Sequence, residues 1–222
     1  MKVLENNYYD ISFERPKHFY AKGQIVPDYN QFIWLVCQGV VKLNTISKNG
    51  EEMILGFAGP QMVFGSSLTS LPTYLATAFS KNVQLACISL SEIAASSDLA
   101  QAVLPKIIRR LQQTECFLAI YGQRRVLDRL QNLLLLLKQE FGQPVAQGTR
   151  LQLRLTHHQL ASACGTTRVT MTRLLGKLQE EGKITFDRNY RITLRDRAIE
   201  KTDIVNEFFV ASKTIDLPLI SR

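Results

Sequence analysis

One stretch of the chain, residues 155 to 178, restricts the fold more than any other, because it predicts two short helices joined by a tight turn. Its sequence is LTHHQLASACGTTRVTMTRLLGKL. Thr156 is a suitable N-cap for the first helix, Gly165 suits the turn, and a second helix starts at Thr166 or Thr167. Apolar residues with helical spacing then predict one buried face, formed by Met171, Leu174, Leu175 and Leu178.

The opposite face of the second helix carries hydrogen-bond donors and methyl groups but no carboxylate. An α-helix fits the DNA major groove, where arginine donates to guanine and an apolar side chain meets a thymine methyl. We therefore call it the recognition helix and predict that four of its residues read bases, namely Arg168, Val169, Thr172 and Arg173. Thr170 and Lys177 are predicted to contact phosphates, and Thr167 completes the DNA-binding set on this helix.

Behind the recognition helix, the sequence KITFDRNYRIT at 183 to 193 predicts two short strands around a turn at 187 to 189. Gly182 is expected to end the helix before them. Such a hairpin is the wing of a winged helix-turn-helix. Arg188 and Arg191 on this wing are candidate phosphate contacts, although solvated surface arginines are equally common.

The positive charge of the chain is concentrated around the helical pair. The formal net charge is +8, and residues 150 to 197 contain ten Lys or Arg against four Asp or Glu. A basic balance favours an anionic partner without separating nucleic acid from a membrane surface or an acidic substrate. Its coincidence with the recognition helix favours double-stranded DNA. A helix-turn-helix used only for protein contacts has the same pattern, but the local charge argues against it.

Residues 1 to 97 have a different pattern, in which short apolar segments alternate with turn signals about every ten residues. The clearest hairpin is at Asn49-Gly50. The spacing is typical of a sandwich or a jelly-roll barrel, so we predict a jelly-roll sensor domain here. The predicted strands are 31 to 36, 40 to 45, 53 to 57, 75 to 79 and 84 to 90.

A long helix is predicted from residue 98 to residue 122, with Ser97 or Asp98 as a cap and Pro105 as a break or first turn. Two arrangements fit it: the helix packs on its own barrel, or it pairs with the same helix of a second copy. We favour a dimerisation helix, because a two-fold homodimer presents two recognition helices to two half-sites. The predicted dimer contacts are Ile107, Ile108, Leu111, Leu118 and Tyr121.

The remaining segments complete an α+β fold. A hinge at 122 to 124 leads into an apolar helix from 126 to 137, which begins a winged helix-turn-helix domain at 123 to 195. Within it, residues 141 to 148 predict a loop and residues 151 to 155 a short strand. The tail, residues 196 to 222, is predicted to be partly helical.

Several functional classes lack the residues they need. Four dispersed cysteines, Cys37, Cys87, Cys116 and Cys164, indicate buried thiols rather than a disulfide framework or zinc site, so no metal is expected. The barrel region has only His18, whereas a cupin-like enzyme needs several histidine ligands, so we expect no enzyme. No apolar run has the length of a signal peptide or membrane span, which favours a cytoplasmic protein without a membrane partner.

The barrel, long helix and winged helix-turn-helix together, with TTRVTMTRLLGKLQEEGKI at 166 to 184, resemble the cyclic-AMP receptor protein/FNR (CRP/FNR) family of bacterial transcription regulators. The resemblance covers roughly residues 15 to 195 and includes Gly-Glu-Glu at 50 to 52, Val-Phe-Gly at 63 to 65 and RRLQQTE at 109 to 115. Residues 167 to 176 are most similar to the cyanobacterial global nitrogen regulators. The resemblance implies a regulator that binds a palindromic promoter site as a dimer, with RNA polymerase as a further partner.

The resemblance also has implications for base preference. Arg168 and Arg173 match the base-reading arginines of the family, while Val169 stands where the cyclic-AMP receptors have a glutamate. Loss of that carboxylate removes an acceptor for a cytosine amino group. The resemblance therefore implies half-site cores of GTA and TAC, as in the nitrogen regulators, rather than the TGTGA type.

For the effector, the departures of this chain from the cyclic-AMP receptor pattern argue against cyclic AMP, whereas the resemblance to the nitrogen regulators suggests a dicarboxylate. No basic residue lies between Lys48 and Lys81 to hold a cyclic phosphate. Arg110 and Glu115 match residues that resemble 2-oxoglutarate contacts of the nitrogen regulators. The candidate effector site is therefore Phe64, Gly65, Ser66, Ser67, Arg110 and Glu115, with a ligand such as 2-oxoglutarate. Two alternatives stay open: Arg110 and Glu115 form ion pairs, and the regulator is independent of any effector.

Overall fold

Ile11 and residues 15 to 195 are described by the structure, a computed structural model. The predicted helical tail at 196 to 222 lies outside these residues. Seven strands come first along the chain. They are β1 (Lys17–Ala21), β2 (Phe32–Gln38), β3 (Val41–Ile46), β4 (Glu52–Ala58), β5 (Val63–Phe64), β6 (Tyr74–Ala78) and β7 (Asn82–Ser89).

These strands form two antiparallel sheets, with strand orders β1-β7-β2-β5 and β4-β3-β6. Both sheets contribute to one apolar core, in which Trp34 and Leu85 from the first sheet cluster with Leu43 and Ala76 from the second. The predicted jelly-roll barrel is confirmed, including the hairpin at Gly50, where φ is 78°. The five predicted strands correspond to β2, β3, β4, β6 and β7. The two strands missing from the prediction, β1 and β5, are short or poor in apolar residues.

Two helices follow the barrel, α1 (Leu90–Ala95) and the long α2 (Ser97–Tyr121). Ser96 caps α2 through a hydrogen bond from the Leu99 amide, so the predicted cap at Ser97 or Asp98 is wrong by one or two residues. Pro105 lies within α2, where a break or a first turn was expected. The helix continues because proline removes only one backbone hydrogen-bond donor. Packing along the rest of α2 stabilises the remaining helical hydrogen bonds.

The long helix packs on its own barrel through buried residues on one side, which include Val103, Phe117 and Ile120. Gln113 is also buried, and its side-chain amide hydrogen-bonds both backbone groups of Phe57 in β4, at 3.3 Å from the Phe57 nitrogen and 3.0 Å to the Phe57 oxygen. Because β4 is an edge strand, this amide satisfies two backbone groups that no strand pairs.

The C-terminal part contains three helices and a second small sheet. Its helices are α3 (Val126–Phe141), α4 (His157–Ala163) and α5 (Arg168–Glu180). Its strands are β8 (Gly142–Val145), β9 (Gly148–Leu151), β10 (Ile184–Phe186) and β11 (Ile192–Leu194), in the order β10-β11-β9-β8. The predicted wing is confirmed as the β10–β11 hairpin.

Two predictions before the helical pair are wrong. Residues 141 to 148 do not form a loop, because β8 pairs with β9 in a hairpin and Pro144 is tolerated on an edge strand. The strand expected at 151 to 155 includes only Leu151 of β9. Leu151, Leu153 and Leu155 are all buried, so the alternation that suggested a strand comes from an irregular segment lying on the core.

Candidate nucleic-acid interface

The helix-turn-helix is defined by side-chain caps at both helix starts. The Thr156 hydroxyl accepts the Gln159 amide at 3.1 Å, and the Gln159 side chain accepts the Thr156 amide at 2.9 Å, which confirms the predicted cap of α4. Gly165 forms the turn with φ 59°, a left-handed conformation that favours glycine. Thr167 caps α5 by accepting the Thr170 amide at 3.2 Å. The recognition helix therefore begins at Arg168.

The two faces of α5 differ as the sequence predicts. Met171, Leu174, Leu175 and Leu178 are all buried in the core. Five predicted DNA-binding residues are exposed on the other side, namely Arg168, Val169, Thr172, Arg173 and Lys177. The Val169 side chain is 80% exposed. Among the described residues no carboxylate forms an ion pair with either arginine, whereas Lys177 lies 3.8 Å from Glu181.

The hydroxyl of Thr172 is already engaged within the protein. It donates to the Arg168 carbonyl at 2.9 Å and lies 2.8 Å from His157 Nδ1 at the start of α4. The structure thus brings His157 to the edge of the face that carries the predicted base readers. The sequence places His157 at the start of α4, facing phosphate or solvent, but only the packing of α4 against α5 brings its side chain to Thr172.

The β10–β11 wing carries both predicted arginines, Arg188 and Arg191. It also contains a turn held by Asp187 and a contact between Arg154 and Tyr190, neither of which was predicted. Asp187 accepts the backbone amides of Asn189 at 2.8 Å and Arg191 at 2.9 Å, and these bonds, led by that of Arg191, hold its pKa below the usual aspartate value. Arg188 is exposed at the tip and Arg191 is half-buried. The Arg154 guanidinium lies 5.6 Å from the Tyr190 ring, and Tyr190 is 67% exposed.

Inside the barrel, three of the six predicted effector residues line one cavity of about 110 Å³. They are Phe64, Gly65 and Ser66. An apolar cavity of about 150 Å³ accommodates benzene, so this space suits a few heavy atoms rather than a nucleotide. The hydroxyl of Ser66 is buried without a hydrogen-bond partner in the described structure, while Asp28 places a carboxylate on the cavity wall.

The other three predicted effector residues do not line this cavity. Ser67 donates to the Phe32 carbonyl at 2.9 Å, and Glu115 is exposed on α2. Arg110 extends from α2 towards β4. Its guanidinium donates to Gln113 Oε1 at 2.9 Å and to the Leu55 carbonyl of β4 at 3.4 Å. Burial lowers the pKa of Arg110.

Tyr74 lies close enough to Arg110 for the two side chains to interact electrostatically. Burial raises the pKa of Tyr74 to about 12, and the nearby Arg110 charge and a Gly65 backbone hydrogen bond oppose this rise. Tyr74 also lines the cavity. One wall of the cavity is therefore a neutral phenol that interacts with the positive charge of Arg110.

Comparison with known proteins identifies the family. A model of the Crp-like helix-turn-helix domain matches residues 125 to 199. The regulatory protein CysR of Synechococcus elongatus is 35% identical over 178 residues, which cover 79% of this chain and 78% of that protein. The chain belongs to the CRP/FNR family of transcription regulators. The global nitrogen regulator of the same organism is 34% identical over 191 residues, covering 82% of this chain and 83% of that protein.

A solved structure gives the same fold. A CRP/FNR family regulator of Thermus thermophilus matches with a TM-score of 0.66 at 20% identity, covering 90% of this chain and 99% of that one. Because these relatives of the CRP/FNR family are regulators and not enzymes, the cupin-like alternative is excluded. No described helix has the length and apolarity needed to cross a membrane. No three His, Cys, Asp or Glu side chains of the described part are grouped as metal ligands.

Proposed function

We propose that this regulator binds a palindromic promoter site as a homodimer formed through α2 and acts on RNA polymerase there. The observation that carries the dimer is a row of exposed leucines at intervals of seven residues. Leu104, Leu111 and Leu118 are 50%, 57% and 72% exposed. A seven-residue repeat keeps one helix face turned towards a partner helix, and burying one leucine contributes about 1.5 to 3 kcal/mol.

The oligomeric state tests this proposal. Wild-type protein is expected to sediment as a dimer, and Leu111→Arg as a monomer with an unchanged circular dichroism spectrum, because two arginines then face each other at the contact. Leu71→Arg is a matched control, since Leu71 is 44% exposed but lies outside α2. A wild-type monomer at micromolar concentration refutes the dimer.

We infer that the exposed face of α5 reads the half-site. The support is that two exposed arginines share one helix face with an 80% exposed valine. Selection from a randomised library is expected to yield palindromes with GTA and TAC cores. Arg173→Ala then loses about 1 to 3 kcal/mol of specific binding. An equal loss on random DNA instead makes Arg173 a phosphate contact.

Val169→Glu tests base reading directly. The new carboxylate is expected to change the preferred base at one position of each half-site towards a pair that offers a cytosine amino group. Gln179→Glu adds the same charge on α5 outside the predicted face, and should weaken binding without changing preference. An unchanged preference in Val169→Glu contradicts base reading by this residue.

A second proposal concerns control by a small molecule. We propose that a dicarboxylate such as 2-oxoglutarate binds at Arg110, because this buried guanidinium has no carboxylate within ion-pair distance among the described residues. An anion there gains a charge-assisted hydrogen bond. The proposal further includes movement of Tyr74, which lines the cavity and interacts with the Arg110 charge.

Calorimetric titration with 2-oxoglutarate distinguishes this proposal from an effector-independent regulator. The wild-type protein is expected to bind, and Arg110→Gln is not. Arg124→Gln, which removes an exposed arginine, is expected to bind as the wild type does. Wild-type protein that binds DNA fully without the ligand, and shows no heat of binding with it, supports the effector-independent alternative.

A further inference from the structure

One arginine outside the DNA-binding face joins the long helix to the helix-turn-helix. Arg129 lies on the first turn of α3, and its Nε donates to the Gln123 carbonyl at 2.7 Å, in the hinge after α2. Its Nη1 donates to the Cys164 carbonyl at 3.0 Å and approaches the Gly165 carbonyl at 3.5 Å. One side chain therefore connects the hinge with the turn that precedes the recognition helix.

The last residue of α2 completes the same contact. The Arg129 guanidinium lies 5.5 Å from the centre of the Tyr121 ring. A Cβ atom added to Gly165 would lie 2.4 Å from the Tyr121 hydroxyl, so the ring is already against the turn. We name these residues the Arg129 cluster: Tyr121, Gln123, Arg129, Cys164 and Gly165. They bring the end of α2 into direct contact with the helix-turn-helix.

The chemistry of the cluster requires a guanidinium. All of its hydrogen-bond acceptors are backbone carbonyls, and two of them belong to the end of α4 and the turn, where the helix dipole favours a cation. The planar guanidinium can donate in two directions while it stacks on an aromatic ring, which the single ammonium group of lysine cannot do. No carboxylate forms an ion pair with Arg129 among the described residues, so its charge is directed at these carbonyls.

We propose that Arg129 is a positioning residue that fixes the orientation of the recognition helix relative to α2, and through it the separation of the two recognition helices. This inference rests on the proposed homodimer. In a dimer formed through α2, the rotation of each helix-turn-helix about the hinge determines the half-site spacing that both recognition helices reach together. The Arg129 cluster is one of the contacts that oppose this rotation, together with the Ser162 hydroxyl of α4, which donates to the Glu52 carbonyl of β4, and the apolar packing between the barrel and the helix-turn-helix.

The test separates positioning from DNA contact by varying the target. Affinity is measured for a single half-site and for palindromes whose half-sites are separated by spacers of different length. Arg129→Met is expected to bind the single half-site as tightly as wild type, because the α5 face is unchanged. The ratio of its affinity for the best spacer to its affinity for neighbouring spacers should fall about tenfold, because losing one charge-assisted hydrogen bond typically changes an affinity by about that factor. Palindromes with neighbouring spacers should then be bound almost as well as the best one.

Controls keep the result interpretable. Arg124→Met removes an exposed arginine from the same hinge and should retain the wild-type spacer preference. If Arg129→Met does not fold, Arg129→Lys retains the positive charge but cannot donate in two directions, and should also broaden the tolerated spacers. An equal loss on the half-site and the palindromes, or no change in spacer preference in the folded variant, overturns the inference. Wild-type protein without any preference for a palindrome refutes the proposed function instead.

Discussion

Gly165→Ala is expected to destabilise the protein strongly, for two separable reasons. Gly165 has φ 59°, a conformation that costs a residue with a Cβ about 1 to 2 kcal/mol. The added Cβ would also lie 2.4 Å from the Tyr121 hydroxyl and 2.6 Å from its Cζ. Tyr121 is 38% exposed, so displacing the end of its ring should cost about 1 kcal/mol, the low end of the range for overpacking. The free energy of unfolding should therefore fall by about 2 to 3 kcal/mol.

Urea unfolding in two backgrounds separates these contributions. In Tyr121→Leu the phenol is absent, so Gly165→Ala should cost only the backbone part, about 1 to 2 kcal/mol. The difference between the backgrounds measures the steric part. Gly176→Ala is the control with the opposite sign, because Gly176 is helical with open space at its Cβ position, and should gain up to about 1 kcal/mol.

Equal costs for Gly165→Ala in both backgrounds would show that Tyr121 does not press on the turn. That result would also remove one support for the Arg129 cluster. A cost near zero in the wild-type background would refute the left-handed turn itself.

Buried and hydrogen-bonded groups elsewhere in the chain lead to three more predictions. Because its pKa is lowered, the Asp187 carboxylate stabilises the wing fully above the usual aspartate pKa of 3.8 and loses this effect as pH falls below it. Hydrogen exchange of the wing amides should therefore show less protection at low pH. Asp187→Asn should abolish this pH dependence of protection. Gln113→Leu leaves two backbone groups of Phe57 unpaired and should cost about 2 to 6 kcal/mol in urea unfolding, whereas Gln112→Leu should cost far less. Burial raises the thiol pKa of Cys116 and of Cys164 to about 12, so iodoacetamide at pH 8 should alkylate them only after unfolding, as mass spectrometry can measure.

The recognition helix was predictable because its determinants are local. Its cap, the glycine turn and the spacing of Met171, Leu174 and Leu178 all lie within one short stretch, where helix periodicity dominates. The same holds for the barrel hairpin at Gly50. The local sequence determines these elements, without contacts from the rest of the chain.

What the sequence did not reveal depends on contacts between distant residues. Gln113 is polar and is expected at the surface from its sequence alone, but β4 supplies backbone partners for it 56 positions away. Arg129 has the pattern of a solvated helix residue, yet it binds carbonyls 35 positions further on. Leu153 and Leu155 show the reverse error, since burial on the core imitates strand alternation. Periodicity reports which side chains are buried, but not what they contact.

The largest apolar cluster of the described residues joins the barrel, α2 and the helix-turn-helix. It runs from Val40, Ile54 and Phe79 of the barrel through Phe117 of α2 to Leu160 and other residues of the helix-turn-helix. Cooperative unfolding follows shared burial rather than topology, so the barrel and the DNA-binding part should melt in a single transition. A fragment ending after the barrel would expose the barrel residues of this cluster to water and tend to aggregate. We therefore expect the regulator, although modular in sequence, to unfold as one unit.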